Sequence, residues 1–120
     1  MIELYYYVAK VVRIIDGDTI VLDIDLGFNT IRHNEHCRLF GINAPETRTK
    51  DLEEKERGLI SKNRLEELCP VGTEILIKTR TPKDKYGRYL VSLFPRGFHL
   101  PSVNEILLKE HLAEVYMEKK

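Results

Sequence analysis

The segment that decides the fold spans residues 5–26 and reads YYYVAKVVRIIDGDTIVLDIDL. Its first half, over residues 5–15, is rich in tyrosine, valine and isoleucine, which favour β-strands. The second half alternates with a period of two, which predicts a strand whose buried face consists of Ile20, Leu22, Ile24 and Leu26. Aspartate and glycine at positions 16–18 supply a turn between the two halves. We therefore predict a hairpin of two antiparallel strands.

A third strand is predicted over Cys37–Ile42, directly before a corner at Asn43, Ala44 and Pro45. Pro45 ends this strand because proline has no N–H group to donate to a sheet. The preceding residues 27–35 are polar and show no clear period. We expect a hairpin tip or a short irregular strand in that segment.

The second half of the chain contains two predicted helices and two further strands. Ser102 and Glu105 form the capping-box pattern that opens a helix. In chain order we expect a charged loop over 48–56, a helix over 59–68, strands over 73–79 and 89–94, and a helix from 102 onward. The order of three strands, a helix, two strands and a helix indicates an α+β fold with a mostly antiparallel sheet.

The composition is that of an ordinary globular domain. The chain has 120 residues, from which we expect a single domain over residues 1–120. Its 19 basic and 19 acidic side chains give a formal net charge of zero, which argues against a protein that coats nucleic acid non-specifically. Cys37 and Cys69 have no CxxC partner, so we expect two reduced, part-buried thiols. We also expect a cytoplasmic protein, since neither a membrane-spanning segment nor a secretion signal is visible, and we expect a monomer.

Three short clusters hold the polar side chains with the most evident chemistry, namely Asp16–Thr19, Arg38–Glu46 and Asp84–Arg88. Each lies where a strand-like segment meets a turn. Together they supply carboxylates, an amide and two arginines, which is the set of groups that cleavage of a phosphodiester requires. The arginines offset the charge of the phosphate, the oxygen atoms hold a hard cation, and a glutamate orients or deprotonates a water molecule.

In spacing and order, these clusters resemble the staphylococcal nuclease family of thermonuclease-like proteins, over about residues 10–116. The resemblance implies an OB-fold, a small five-stranded barrel, with two to three helices. It also implies a calcium-dependent nuclease that hydrolyses single-stranded DNA or RNA with little sequence specificity. The choice between DNA and RNA, and between internal and terminal cleavage, stays open.

The family pattern implies a role for each matching residue. The implied catalytic residues are Arg38, Glu46 and Arg88. The implied calcium ligands are Asp18, Asn43 and the backbone carbonyl of Ala44, and their supporting residues are Asp16 and Thr19. The residues implied to bind the substrate are Lys85, Tyr86 and Tyr116. Whether Glu46 orients the water or deprotonates it stays open.

Two features depart from the family pattern. Asn43 stands where the family more often has aspartate, and an amide oxygen still suits calcium. The loss of one negative charge nevertheless predicts weaker metal binding. The chain also ends soon after Tyr116, where family members continue into another helix. The short end predicts less stacking on the substrate base and suggests a minimal or bacteriophage-encoded member.

The residues also admit other interpretations. An OB-fold module that binds nucleic acid without cleaving it would fit Asn43 and the short end, whereas Glu46 together with two arginines favours an enzyme. A zinc site at His33 and His36 is disfavoured, because the two histidines lie in a polar segment without a matching cysteine pair. Each cluster alone is also plausible as turn sequence, and it is their combination in this order that indicates a site.

Overall fold

The structure is a computed structural model that describes residues 5–80, 86–95, 97 and 101–116. The described strands are, in chain order, β1 (Tyr6–Asp16), β2 (Thr19–Asp25), β3 (Ile31–Leu39), β4 (Ile42–Asn43), β5 (Glu74–Arg80), β6 (Tyr89–Phe94) and β7 (Glu114–Val115). Five of them close into a barrel in the order β1-β2-β3-β6-β5. The described helices are α1 (Leu52–Leu68) and α2 (Val103–Lys109).

Strand pairing in the barrel is antiparallel except between β3 and β6, which run parallel. The barrel closes where β1 pairs with β5, from Tyr6 opposite Lys78 to Lys10 opposite Glu74. The small strands β4 and β7 form a separate antiparallel pair. The predicted α+β class and the five-stranded OB-fold barrel are confirmed, with two helices among the described residues.

The interior of the barrel is filled by side chains that alternate along its strands. Ile20, Leu22 and Ile24 of β2 are buried in one cluster, as the period of two predicts. Leu26 lies beyond the end of β2 and is 38% exposed, so its predicted burial is wrong. Each fully buried aliphatic side chain contributes about 1.5–3 kcal/mol to folding.

The third strand is longer than predicted, because β3 begins at Ile31 rather than Cys37. Its first residues pair with β2 although nearly all of them are exposed, so no apolar period marks them. The hairpin tip is confined to the few residues around Phe28 and Asn29, which have φ angles of 56° and 57°. β3 ends at Leu39, and a turn separates it from β4, where the prediction had one continuous strand to Ile42.

Helix α1 starts inside the segment that was predicted to be a charged loop. Asp51 caps it, because its carboxylate accepts hydrogen bonds from the backbone N–H groups of Glu53 and Glu54 at 3.1 and 3.4 Å. These two glutamates also place negative charge at the positive end of the helix dipole. The helix ends at Leu68, as predicted, and Cys69 is its C-cap.

Helix α2 has the predicted N-cap, since Ser102 Oγ accepts a hydrogen bond from the backbone N–H of Glu105 at 3.2 Å. The first turn of α2 also contains Asn104, which is buried. Its amide donates to the carbonyl of Phe40 at 2.9 Å and accepts from the backbone N–H of Leu93 at 3.1 Å. Asn104 therefore joins the end of β3 to β6.

Both cysteines are free thiols, and both are completely buried rather than part-buried. Burial raises the pKa of the Cys37 thiol and of the Cys69 thiol to about 12. Neither thiol is therefore available as a nucleophile near neutral pH. Within the described ranges, no helix has the length and apolar character needed to cross a bilayer.

Candidate active site

Asp18 lies in the turn between β1 and β2 and is almost completely buried. Its Oδ2 atom accepts hydrogen bonds from Arg38 Nη1 at 3.3 Å and from the backbone N–H of Ala44 at 2.8 Å. Its Oδ1 atom accepts a hydrogen bond from Thr19 Oγ1 at 2.9 Å. One carboxylate thus joins the hairpin turn, the end of β3 and the corner that follows β4.

Arg38 reaches the same corner from β3. Its Nη2 atom donates to the carbonyl of Ile42 at 3.0 Å and to Asn43 Oδ1 at 3.1 Å. Its guanidinium carbon also lies 5.0 Å from the ring centre of Tyr116. These contacts hold the guanidinium in one orientation, so that it is preorganised to present its N–H groups.

Asp16 contacts the loop that follows the corner, at Thr47, and supports the site from there. Its Oδ1 atom accepts hydrogen bonds from Thr47 Oγ1 at 2.6 Å and from the backbone N–H of Thr47 at 3.2 Å. Sequence reasoning missed Thr47, although a hydroxyl directly after Glu46 was a visible signal. The pairing fixes the residue that follows Glu46.

Glu46 is exposed and lies where the corner meets α1. Its backbone N–H donates to Glu54 Oε2 at 3.2 Å. One helical turn later, Gly58 packs so closely that an added Cβ would lie 2.5 Å from the carbonyl oxygen of Glu46 and 2.9 Å from that of Pro45. The first turns of α1 therefore set the position of Glu46.

Helix α1 also contacts the turn that contains Asp18. A Cβ at Gly17 would lie 2.6 Å from the Cβ of Ser61, so this turn and the helix touch without a side chain between them. Ser61 Oγ in turn donates to the carbonyl of Leu112 at 2.6 Å. Gly17, Gly58 and Ser61 act through tertiary contacts that no local sequence pattern predicts.

Arg88 approaches from the segment before β6. Its Nη1 atom lies 3.5 Å from Thr19 Oγ1, to which it donates, and its guanidinium carbon lies 5.3 Å from the ring centre of Tyr86. Tyr86 is 71% exposed, so one face of this cation–ring pair is open to solvent. Lys85, the neighbouring residue predicted to bind substrate, lies outside the described residues.

These side chains surround a cavity of about 470 Å³ on the outside of the barrel. Its lining residues are Asp16, Asp18, Thr19, Arg38, Asn43, Ala44, Glu46, Tyr86, Arg88 and Tyr116. The structure therefore brings together every predicted site residue except Lys85. A second cavity of about 420 Å³ lies on the other side of Asn43–Glu46, against α1.

A sequence model of the staphylococcal nuclease homologue family matches residues 36–120, which is most of the chain and includes the end of β3, the corner and the segment from β5 to β6. The chain belongs to this family. The predicted family relationship is therefore confirmed.

Two proteins with curated descriptions are similar in sequence to this chain. An uncharacterized protein of Methanocaldococcus jannaschii is 34% identical over 127 aligned residues, which cover 93% of this chain and 60% of the relative. The thermonuclease of Staphylococcus intermedius is 36% identical over 84 residues, which cover 70% of this chain and 45% of the relative. The chain thus spans about half the length of these proteins.

The donor atoms of the site suit the calcium ion that the nuclease family implies. The carboxylate of Asp18 and the amide of Asn43 offer oxygen atoms, and hard cations prefer oxygen ligands. Both oxygens also accept hydrogen bonds from Arg38, which is a cation itself. Across the described part of the chain, no three His, Cys, Asp or Glu side chains cluster closely enough to form an evident metal centre. These oxygen donors fit calcium, and of the two side chains only that of Asp18 carries a negative charge.

The two histidines His33 and His36 lie on the exposed part of β3. His33 Nδ1 lies 3.4 Å from Asp23 Oδ2. A hydrogen bond from the backbone N–H of Asn34, with a smaller contribution from His33, lowers the pKa of Asp23. This small cluster has a structural explanation in the β2–β3 hairpin, so the zinc interpretation gains no support.

Proposed function

We propose that the chain is a calcium-dependent nuclease that hydrolyses phosphodiester bonds of single-stranded DNA or RNA with little sequence specificity. The proposal takes residues 1–120 as one thermonuclease-like domain. The observation that carries it is one cavity lined by Arg38, Arg88, Asp18 and Glu46. A site that only bound nucleic acid would need the arginines but not a glutamate beside them.

The two arginines supply positive charge where negative charge develops during hydrolysis. When water attacks a phosphodiester, charge grows on the oxygens around the phosphorus, and guanidinium groups donate paired N–H bonds to such oxygens. Arg38 is held by Asp18 and Asn43, whereas Arg88 is partly exposed beside Tyr86. We infer that Arg38 is the more rigid of the two and that Arg88 adapts to the substrate.

Asp18, Asn43 and the carbonyl of Ala44 would hold the divalent cation. Bound there, a divalent cation offsets the charge of the phosphate and lowers the pKa of a nearby water molecule. Asp16 and Thr19 support this set, because Asp16 fixes Thr47 and Thr19 donates to Asp18. The amide at Asn43 gives the set less charge than two aspartates would.

Glu46 would orient or deprotonate the attacking water. Its exposed side chain has access to solvent, while its backbone is fixed by Glu54 and Gly58. Tyr86 and Tyr116 would contact the substrate through their rings, and Lys85 would contact a phosphate. Rings and cations of this kind bind single strands without sequence preference.

The second candidate is an OB-fold module that binds nucleic acid and does not cleave it. It is favoured by one observation: the side-chain oxygen of Asn43 already accepts a hydrogen bond from Arg38, which competes with a metal. The enzyme is still the better conclusion, because Glu46 has no role in a binding module.

The test is an incubation of end-labelled single-stranded DNA and RNA with the protein in calcium, in magnesium or manganese, and in chelator. We expect cleavage in calcium and none in chelator. A Glu46→Gln preparation purified in the same way controls for contaminating nucleases, and Arg88→Ala should cleave about 100-fold more slowly. Equal cleavage in calcium and in chelator would contradict the metal assignment. Binding without turnover in any cation would replace the nuclease with the binding module.

A further inference from the structure

The outer face of the barrel carries more paired cations and aromatic rings beside the candidate cavity. The guanidinium carbon of Arg80 lies 5.1 Å from the ring centre of Phe40, and Lys78 Nζ lies 5.2 Å from that of Tyr6. Tyr6 lies 6.3 Å from Phe94, measured between ring centres. None of these residues lines the cavity. The proposed catalytic site therefore leaves them without a function.

The register of the sheet connects these cations and rings to the cavity through Arg38, which lines it. Arg38 of β3 pairs with Leu90 of β6, and Leu90 pairs with Arg80 of β5. Directly paired residues project from the same face, so the three form a row across three strands. Lys78 precedes Arg80 by two residues and shares its face, about 7 Å away. Lys78 in turn pairs with Tyr6 of β1.

The chemistry of this row suits an anion with flat apolar groups. The residues paired along it include no acidic side chain; they are Tyr6, Arg38, Lys78, Arg80, Leu90 and Ser92. Phe40 is 38% exposed, so part of its ring is open to solvent. The Nε atom of Arg80 is buried and, among the described residues, has no hydrogen-bond partner. A buried donor without a partner is destabilising, and Arg80 as a whole is only partly buried, so a phosphate beside its guanidinium would offset this cost.

We propose that Phe40, Lys78, Arg80 and Tyr6, here called the outer track, bind the part of a single-stranded nucleic acid that extends beyond the cleaved phosphate. The cations contact phosphates and the rings stack on bases, which is how single strands are bound without sequence preference. The identification of this ligand as a nucleic acid rests on the proposed function. The track itself needs no divalent cation and no turnover.

The experiment measures affinity in chelator, where no cleavage is expected, by fluorescence anisotropy. The probes are a labelled thymidine dinucleotide and a labelled oligothymidylate of about 12 nucleotides, which is within the site size of one OB-fold. We expect Arg80→Ala and Phe40→Ala each to weaken binding of the long strand about 10-fold. The dinucleotide, which reaches only the cavity, should lose less than about 2-fold. Arg80→Ala should also reduce the slope of log affinity against log salt by about 0.7, the value for one phosphate contact on a single strand.

Matched controls remove the same chemistry from elsewhere. Lys55→Ala removes an exposed cation from α1, and Phe28→Ala removes a fully exposed ring from the β2–β3 tip. Both should bind the long strand as wild type does. Phe40→Leu keeps an apolar side chain but not the ring, so it serves if Phe40→Ala does not fold. Thermal melting by circular dichroism identifies variants that are merely unfolded.

Each outcome separates the outer track from the proposed nuclease. If the track variants bind the long strand as tightly as wild type, the track is wrong and the nuclease is unaffected. Equal losses for the dinucleotide and the long strand would place the contacts in the cavity and also overturn the track. If the expected losses appear but wild type never cleaves, the nuclease fails and the track stands. No affinity of wild type for the long strand would overturn the track.

Discussion

The guanidinium of Arg38 lies 3.3 Å from the carboxylate of Asp18, and both side chains are almost completely buried. The pair connects β3 to the turn between β1 and β2 through two residues that are 20 positions apart in sequence. A buried pair contributes little net stability, but either charge alone in the same place is costly. The candidate site is therefore part of what keeps this side of the barrel folded.

Replacement of Asp18 should lower stability as well as activity. In Asp18→Asn the buried guanidinium of Arg38 loses the carboxylate that lies 3.3 Å away, so we expect the free energy of unfolding to fall by about 3 kcal/mol. Urea denaturation followed by circular dichroism measures this loss. Asp25→Asn, at an exposed position of β2, should change stability by less than about 0.5 kcal/mol. Equal stability of Asp18→Asn and wild type would mean that the pair is not formed.

Asn43→Asp should strengthen calcium binding about 10-fold, because it adds a negative charge beside the proposed cation. Calcium titration by calorimetry checks the affinity. The same variant would draw Arg38 more strongly, since Asn43 already accepts from it. A gain in thermal stability without a gain in calcium affinity would show that the added charge serves Arg38 and not a metal.

Glu46→Gln should reduce cleavage about 100-fold or more while leaving the affinity for single-stranded nucleic acid nearly unchanged. Glutamine keeps the shape and the hydrogen bonding of the side chain but cannot accept a proton. Single-turnover cleavage and binding in chelator measure the two quantities separately. A parallel loss of binding and cleavage would assign Glu46 to substrate contact instead. Glu105→Gln, exposed on α2, is the matched control.

Gly58→Ala should reduce kcat about 10-fold, because an added Cβ would lie 2.5 Å from the carbonyl oxygen of Glu46 and displace it. Alanine normally stabilises a helix interior by about 1 kcal/mol relative to glycine, so helix propensity alone predicts that Gly58→Ala is more stable than wild type. The clash with Glu46 predicts that it is less stable. Asn63→Ala, at an exposed position of α1, should show only the favourable propensity effect. Kinetics and thermal melting of both variants check this. Unchanged kcat in Gly58→Ala would show that α1 does not position Glu46.

The stability of the protein should fall at alkaline pH because of its buried thiols. The pKa of Cys37 and of Cys69 is raised by burial from 9.0 to about 12. A raised pKa of an acid means that folding holds the proton, so this contribution is complete below about pH 9 and is lost as the pH rises toward 12. Urea denaturation at several pH values measures the trend. Cys69→Ala should flatten it, and a trend identical to wild type would contradict the assignment.

Patterning identified most of the barrel, and its failures have physical causes. The hairpin of β1 and β2 was predictable because Ile20, Leu22 and Ile24 of β2 are buried in the core, whereas Asp23 and Asp25 between and after them are not buried. The first residues of β3 were missed because they are exposed, so their sequence carries no period of two. The start of α1 was missed for the same reason, although Asp51 with Glu53 and Glu54 was an available capping signal.

The candidate site was more predictable than the contacts that hold it. Arg38, Glu46 and Arg88 could be named from the motif order and the family resemblance, and each lies close to the start or the end of a strand. The pairing of Asp16 with Thr47 joins residues 31 positions apart, and no local pattern indicates it. The close approach of Gly58 to Glu46 depends on the orientation of a whole helix. Such contacts arise from packing and become visible only in three dimensions.

The closure of the barrel between β1 and β5 has a consequence for biosynthesis. Tyr6 of β1 pairs with Lys78 of β5. During synthesis, more than half of the chain must therefore be made after β1 before β5 is available to pair with it. Until then, β1 to β3 can form only an open meander, with unpaired N–H and C=O groups along both outer strands. Pairing over such a separation is slow, and open edges attract other nascent chains. We therefore expect slower translation between α1 and β5 to lengthen the time that each new molecule is exposed to aggregation.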